Sequence, residues 1–149
     1  MYAKRYGFTM IELVFVIVVL GILAAIAIPK FAATREDAQI SKGAADVAAI
    51  RSGIISVRQQ YLLRGQTSYP SSLSGAGVAS GKLFDGNGTG TILMYAVTPK
   101  TAGGHWRGTD PNYIYQVGTV NCGFTYNNAN GTFNLTTTGQ IYCDGLVGN

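Results

Sequence analysis

A 22-residue apolar run that contains one acidic residue constrains this chain more than any other feature. The run extends from Phe8 to Pro29, has Glu12 near its start, and follows the basic pair Lys4 and Arg5. As a helix it would be about 33 Å long, close to the ~30 Å hydrocarbon core of a bilayer. A buried core helix of this apolarity would be unusual in a 149-residue protein, so we predict a membrane span.

The same run permits a second interpretation, a cleaved secretory signal. Lys4 and Arg5 provide a basic start, and Ala25-Ile26-Ala27 provides a small-x-small cleavage site. This alternative predicts a secreted, β-rich binding domain released after Ala27. Against it, the helical pattern continues beyond Pro29 rather than giving way to the start of a new domain.

That continuation is visible in the spacing of apolar residues, which recur every three or four positions while the charged residues fall elsewhere. The apolar stripe consists of Ile40, Ala44, Val47, Ile50, Ile54, Val57 and Tyr61. We therefore predict one long helix, membrane-embedded over residues 8–29 and amphipathic over residues 30–64. Pro29 is the predicted kink, because proline removes a backbone hydrogen bond and clashes with the preceding turn.

The residues around the start of the run form a specific motif: Gly7-Phe8-Thr9-Met10-Ile11-Glu12-Leu13, then the apolar run, then Ala27-Ile28-Pro29-Lys30-Phe31. This first third of the chain resembles the N-terminus of type IV pilins and type II secretion pseudopilins. A short basic leader, a glycine, an aromatic residue and a nearby glutamate occur together. Met10 is a small departure, since leucine is more common there in the family.

The resemblance implies a processing pathway and a location. A prepilin peptidase would cleave after Gly7 and methylate the new amine on Phe8, so residues 1–7 would be a discarded leader. The subunit would first lie in membrane lipid as a single-pass protein of the bacterial inner membrane, with its head outside the cytoplasm. An assembly platform there would then add it to a homopolymeric helical filament, periplasmic or extracellular.

Glu12 has two explanations. The resemblance implies that its partner in a filament would be the N-terminal amine of a neighbouring subunit, here that of Phe8, which would align the incoming helix. An ionised carboxylate costs about 2.5 to 3.5 kcal/mol at the centre of a membrane helix, and such groups usually have a partner. The alternative is that Glu12 reaches the lipid headgroups and complements the positive end of the helix.

Beyond Leu63 the composition changes to small and polar residues, and short β-prone segments predict a small antiparallel sheet in a head at residues 65–149. The fold class predicted is α+β, pilin-like, with the long N-terminal helix packed on that sheet. Asn130-Gly131 is a hairpin turn signal. The predicted strands are Ile92–Val97, Tyr113–Val117, Gly123–Asn127, Thr132–Thr137 and Gln140–Cys143.

Cys122 and Cys143 are the only cysteines. In an oxidising compartment they would form a disulfide, which agrees with a head outside the cytoplasm; the alternative is two buried free thiols. Their spacing fits neither a zinc ribbon nor a redox pair. The only histidine, His105, is not placed by sequence to complete a site.

No cofactor is predicted, and calcium is the alternative. The stretch Asp85–Gly90 has the first half of an EF-hand pattern, but Ala96 stands where the bidentate glutamate would be. Major pseudopilins of type II secretion bind calcium in the head, so the resemblance offers Asp85, Asp110 or Asp144 as ligands of an irregular site.

Two function classes find little support. One histidine and no nucleophile motif provide no catalytic set, so we predict that the chain is not an enzyme. From Gly65 onward three basic residues balance three acidic ones, so the basic block typical of nucleic-acid binding is missing.

The sequence therefore predicts a structural subunit of a type IV pilus or pseudopilus, serving type II protein secretion or pilus functions. The alternatives are a DNA-uptake pseudopilin and, from another class, the secreted β-rich domain cleaved after Ala27.

Overall fold

The computed structural model describes residues 7–75, 81–86 and 90–148, apart from the side chains of Pro29 and residues 31–33. The four strands form one antiparallel sheet in the order β1-β2-β3-β4. The predicted α+β fold is confirmed. The chain divides into two compact units, Met1–Arg35 and Glu36–Asn149. The elements are α1 (Met10–Leu63), β1 (Trp106–Thr109), β2 (Asn112–Val117), β3 (Val120–Asn127), β4 (Thr132–Leu135) and α2 (Ile141–Asp144).

Within the second unit, the apolar stripe of α1 faces the sheet, as its spacing predicted. Five stripe residues are buried, and Ile40 is partly buried. The helix ends at Leu63, where Gly65 adopts a φ of +79° and lets the chain turn back. The buried stripe residues are Val47, Ile50, Ile54, Val57 and Tyr61.

The sheet contributes an aromatic layer to this core. Along β2 the burial alternates, so every second side chain points at the helix. Phe124 and Phe133, on neighbouring strands, stack with ring centroids 5.2 Å apart, and Trp106 packs against both. Aromatic residues bury more area than any other side chains, which lets a four-stranded sheet build a core against a single helix.

Two tyrosines of the sheet donate hydroxyl hydrogen bonds to backbone carbonyls outside it. Tyr115 donates to the carbonyl of Gln39 on α1 at 2.8 Å, and Tyr126 donates to the carbonyl of Pro70 at 2.7 Å. Burial is the main cause that raises the pKa of each tyrosine to about 12. Both hydroxyls therefore stay protonated at neutral pH and keep their donated bonds.

Charged residues beside the stripe also hold the head. Lys42 donates to the carbonyl of Gly104 at 2.6 Å, and the Arg51 guanidinium donates to the carbonyl of Phe133 at 3.1 and 3.2 Å. Asp46 accepts from the indole nitrogen of Trp106 at 3.0 Å. These side chains fix the sheet on the helix through bonds that periodicity alone does not reveal.

Two predicted strands are wrong and one strand was missed. The segment Ile92–Val97 forms only an isolated bridge, between Leu83 and Val97, because Ile92 packs on α1 instead of pairing in the sheet. Gln140–Cys143 is the start of the short helix α2. The missed strand, β1, is only four residues long and contains Gly108 at a φ of 121°, so its sequence carries little β signal.

The hairpin predicted at Asn130-Gly131 is confirmed. It joins β3 to β4, and Gly131 has a φ of +72°. The side-chain oxygen of Asn130 accepts from the backbone nitrogen of Thr132 at 3.1 Å and from its hydroxyl at 2.8 Å. Asn130 is therefore a turn-forming residue.

A disulfide joins Cys122 on β3 to Cys143 on α2, with a Cα–Cα distance of 5.3 Å. Both cysteines are fully buried. The bridge closes a loop with a sequence separation of 21 residues, which includes β4 and the turn before α2. It attaches the C-terminal segment to the sheet.

Replacing both cysteines by alanine should lower the free energy of unfolding of the head by about 3 kcal/mol, because the unfolded chain loses a loop constraint of this length. Urea unfolding of the full chain in lipid nanodiscs would measure this through Trp106, the only tryptophan and fully buried. Wild-type protein kept in reductant should match the variant. An unchanged unfolding free energy in both samples would contradict the prediction.

Candidate functional site

The start of α1 is built by a reciprocal pair of hydrogen bonds between Thr9 and Glu12. The Glu12 backbone nitrogen donates to the Thr9 hydroxyl oxygen at 3.3 Å, and the Thr9 backbone nitrogen donates to Glu12 Oε2 at 3.4 Å. The Thr9 hydroxyl also lies 3.5 Å from Glu12 Oε2. This is a capping box, which satisfies backbone donors that a helix start leaves unpaired.

The capping box adds a third role for Glu12 beside the two considered from the sequence. The pattern Thr-x-x-Glu before an apolar run is itself the signal, and it is present at Thr9–Glu12. Sequence reasoning that concentrated on the charge of Glu12 overlooked Thr9. The carboxylate is exposed in this single chain, so its cap leaves it accessible to a further partner.

Gly7 and Phe8, the residues on either side of the predicted cleavage point, are both exposed. A Cβ atom added at Gly7 would meet no atom within 4 Å, so packing within the chain does not require glycine there. Phe8 is 83% exposed. The structure therefore gives no packing reason for glycine at position 7, and its recognition by a peptidase stays a prediction. The rest of the predicted leader, residues 1–6, lies outside the described residues.

The N-terminal part of α1 exposes an apolar surface, which is unfavourable in water. Met10–Ile28 has a mean hydropathy of 3.1 and is 0% buried; among the described residues it is the one helix stretch long and apolar enough to cross a membrane. Its apolar side chains are exposed on all sides of the helix. Burying apolar surface away from water is favourable by about 25 cal/mol per Å². Such a helix therefore needs lipid or other apolar helices around it.

The predicted kink at Pro29 stays a prediction. Helical backbone is assigned through this position, from Met10 to Leu63, and the side chain of Pro29 is not among those described. The predicted division into membrane and amphipathic halves at this residue likewise stays a prediction.

The three aspartates proposed as calcium ligands have separate roles or positions in the head. Asp110 Oδ1 accepts from the Leu73 backbone nitrogen and the Tyr113 hydroxyl, each at 2.9 Å. Asp85 Oδ1 accepts from the Gly75 backbone nitrogen at 2.7 Å, and Asp144 is the last residue of α2.

Within residues 7–75, 81–86 and 90–148, no three His, Cys, Asp or Glu side chains come together as a metal site would require. Part of the calcium-like stretch, residues 87–89, lies outside the described residues. The calcium alternative therefore stays a sequence prediction that these positions do not support.

Trp106, between His105 and Arg107 in the sequence, could stack on a base or sugar only if its ring were exposed. Trp106 is fully buried in the core, and Arg107 donates to the side-chain oxygen of Gln116 at 2.9 Å. His105 Nδ1 lies 3.1 Å from the carbonyl of Gly103. The Trp106 ring is therefore part of the core and offers no exposed stacking surface.

Comparison with known families identifies one match, to the prokaryotic N-terminal methylation motif over residues 2–28. The matched residues include the predicted cleavage point, Thr9, Glu12 and the exposed apolar helix. Searches of curated proteins and of solved structures find no match to this chain. The motif match is consistent with the type IV pilin and pseudopilin family and supports a pilin-like subunit made as a prepilin.

Proposed function

We propose that this chain is a structural subunit of a type IV pilus or pseudopilus, processed after Gly7 and polymerised through α1. The observation that carries the proposal is the methylation motif on residues 2–28, which coincides with a helix that exposes apolar side chains on every side. Such a helix suits lipid before assembly and the helices of other subunits afterwards. The head, an α+β unit closed by a disulfide, would be presented outside the cytoplasm.

Mature protein isolated from its native membrane should begin at an N-methylated Phe8. Cleavage there removes Lys4 and Arg5, so the side-chain net charge falls from +4 by two, to +2. Intact-mass and N-terminal peptide mass spectrometry measure both the start and the added methyl group. A mature chain beginning at Ile28 would support the secreted β-rich domain instead and would end the filament proposal.

Gly7→Val provides the matched test of the same step. The structure leaves open space at Gly7, so valine should not disturb the fold, yet it enlarges the residue before the cleavage point. We expect unprocessed full-length protein in the membrane and no filament. Gly65→Val would be an unsuitable control, since Gly65 has a φ of +79°; Ala3→Val, within the leader, is suitable and should be processed normally.

The proposal extends to the molecular machine that would use the filament. Type II protein secretion and pilus functions are the candidates we favour, with DNA uptake as the alternative. The balanced charge from Gly65 onward supports that order, because a DNA-binding filament surface would be expected to carry excess basic residues. Deleting the gene and measuring secreted protein, surface filaments and transformation frequency in parallel distinguishes the three.

A further inference from the structure

Two adjacent large apolar side chains stand out on the head because they are exposed. Met94 is 87% exposed and Tyr95 is 81% exposed. Methionine and tyrosine are residue types enriched in the cores of protein interfaces. We call this pair the Met94–Tyr95 knob.

The knob is held in place by the backbone on both sides of it. Before it, Ile92 is buried and the Leu93 backbone nitrogen donates to the carbonyl of Phe84 at 3.0 Å. After it, Leu83 and Val97 exchange backbone bonds of 2.7 and 2.9 Å. The exposed pair is therefore presented from an anchored loop.

The outer surface of α1 in the same unit is unusual for a helix that faces water. Between Ala45 and Leu63, all of them described residues, no charged side chain of α1 is exposed. A solvent-facing helix surface normally carries charges, whereas small residues allow a partner to approach closely. The exposed side of this stretch also carries Ile55 and Gln59. We call its small residues the small-residue face: Ala45, Ala48, Ala49, Ser52 and Ser56.

We infer that the Met94–Tyr95 knob of one copy packs on the small-residue face of a second copy. The inference rests on the proposed function, since an open helical polymer requires a heterologous interface made by two different, complementary patches of one chain. An apolar protrusion and a helix face of small residues without exposed charge are such a pair. Both are exposed within the chain, so neither covers the other.

The first test places charge on the knob. In Met94→Asp/Tyr95→Asp, two carboxylates would be buried against a face on which no charged side chain is exposed between Ala45 and Leu63, so filament yield should fall at least about tenfold. Ile141→Asp is the control for a charge placed elsewhere on the head, because Ile141 is apolar and 88% exposed but lies on α2. It should assemble as the wild type does, whereas the single variant Met94→Asp should already assemble poorly. The unfolding midpoint, followed by Trp106 fluorescence, should be unchanged in all of these variants.

The second test measures proximity directly. Two differently tagged chains, one with Met94→Cys and the other with Ser52→Cys, are expressed together and treated in sheared filaments with a short bis-maleimide. We expect mixed dimers from this pair and none from Met94→Cys with Ile141→Cys. Chains retained in the membrane before assembly should give none.

The outcomes separate the two proposals. Normal filaments from the aspartate variant, or cross-links from Met94→Cys to Ile141→Cys but not to Ser52→Cys, overturn this inference and leave the proposed function intact. A processed wild-type chain that forms no filament under assembly conditions overturns the proposed function, and this inference with it.

Discussion

Glu12→Ala should leave a processed, stable subunit in the inner membrane that is almost absent from filaments. We expect the proposed cleavage after Gly7 not to require the carboxylate, and removing a charge from a membrane helix favours insertion. What the variant loses is the proposed pairing of Glu12 with the Phe8 amine of a neighbour. Breaking a charge pair in a low-dielectric environment costs about 3 kcal/mol or more, roughly a hundredfold or more in the assembly equilibrium.

The capping box makes Glu12→Ala alone ambiguous, because alanine removes the charge and also the bond from the Thr9 backbone nitrogen. Glu12→Gln separates the two roles. Glutamine still serves a capping box but carries no charge. We expect Gln to fail in assembly as severely as Ala, since the charge is what a neighbouring amine would bind.

Immunoblots of the processed form in membranes, together with the amount of sheared filament and electron microscopy, measure the three steps separately. Rescue by Gln would assign Glu12 to the helix cap. Normal assembly by both variants would leave Glu12 as a charge at a helix end, the headgroup interpretation. A defect already visible in cleavage or insertion would place its role before assembly.

The parts of the fold that could be predicted from the sequence are those set by local periodicity or by local turn chemistry. The buried stripe from Val47 to Tyr61 follows from three- and four-residue spacing, and the turn at Asn130-Gly131 follows from a need for positive φ. The failures are segments whose conformation is set by distant neighbours. Ile92 is apolar because it covers α1, so apolarity wrongly suggested a strand.

For the candidate site, the sequence predicted which residues matter but not their contacts. The positions of Gly7, Phe8 and Glu12 come from a motif, and the structure adds that Gly7 has no packing role and that Glu12 is capped by Thr9. The exposed Met94 cannot be predicted from sequence, since it depends on which residues of an irregular loop the head buries. A sequence motif identifies residues that act together locally. Which apolar side chains stay exposed depends on the tertiary packing of the rest of the head.

At Gly53 in α1, a contact with a distant residue should outweigh the helix propensity of the residue type. By helix propensity, Gly53→Ala should stabilise the helix by about 1 kcal/mol. An added Cβ, however, would lie 2.1 Å from the carbonyl oxygen and 2.9 Å from the carbonyl carbon of Ile92. These are backbone atoms, which cannot rotate away, so the loop must shift away from the helix, and this disturbs the packing of Ile92 in the core. We expect a net destabilisation of about 2 kcal/mol.

Ser52→Ala, at the preceding and exposed helix position, is the control and should be neutral or stabilising by up to about 0.5 kcal/mol. Urea unfolding followed by Trp106 fluorescence compares both variants with the wild type. A stabilised Gly53→Ala would mean that the loop does not press on the helix. If the expected loss is found, the same contact also explains how the loop holds Met94 and Tyr95 on the head, because Ile92 lies two residues before Met94 and its backbone packs against Gly53.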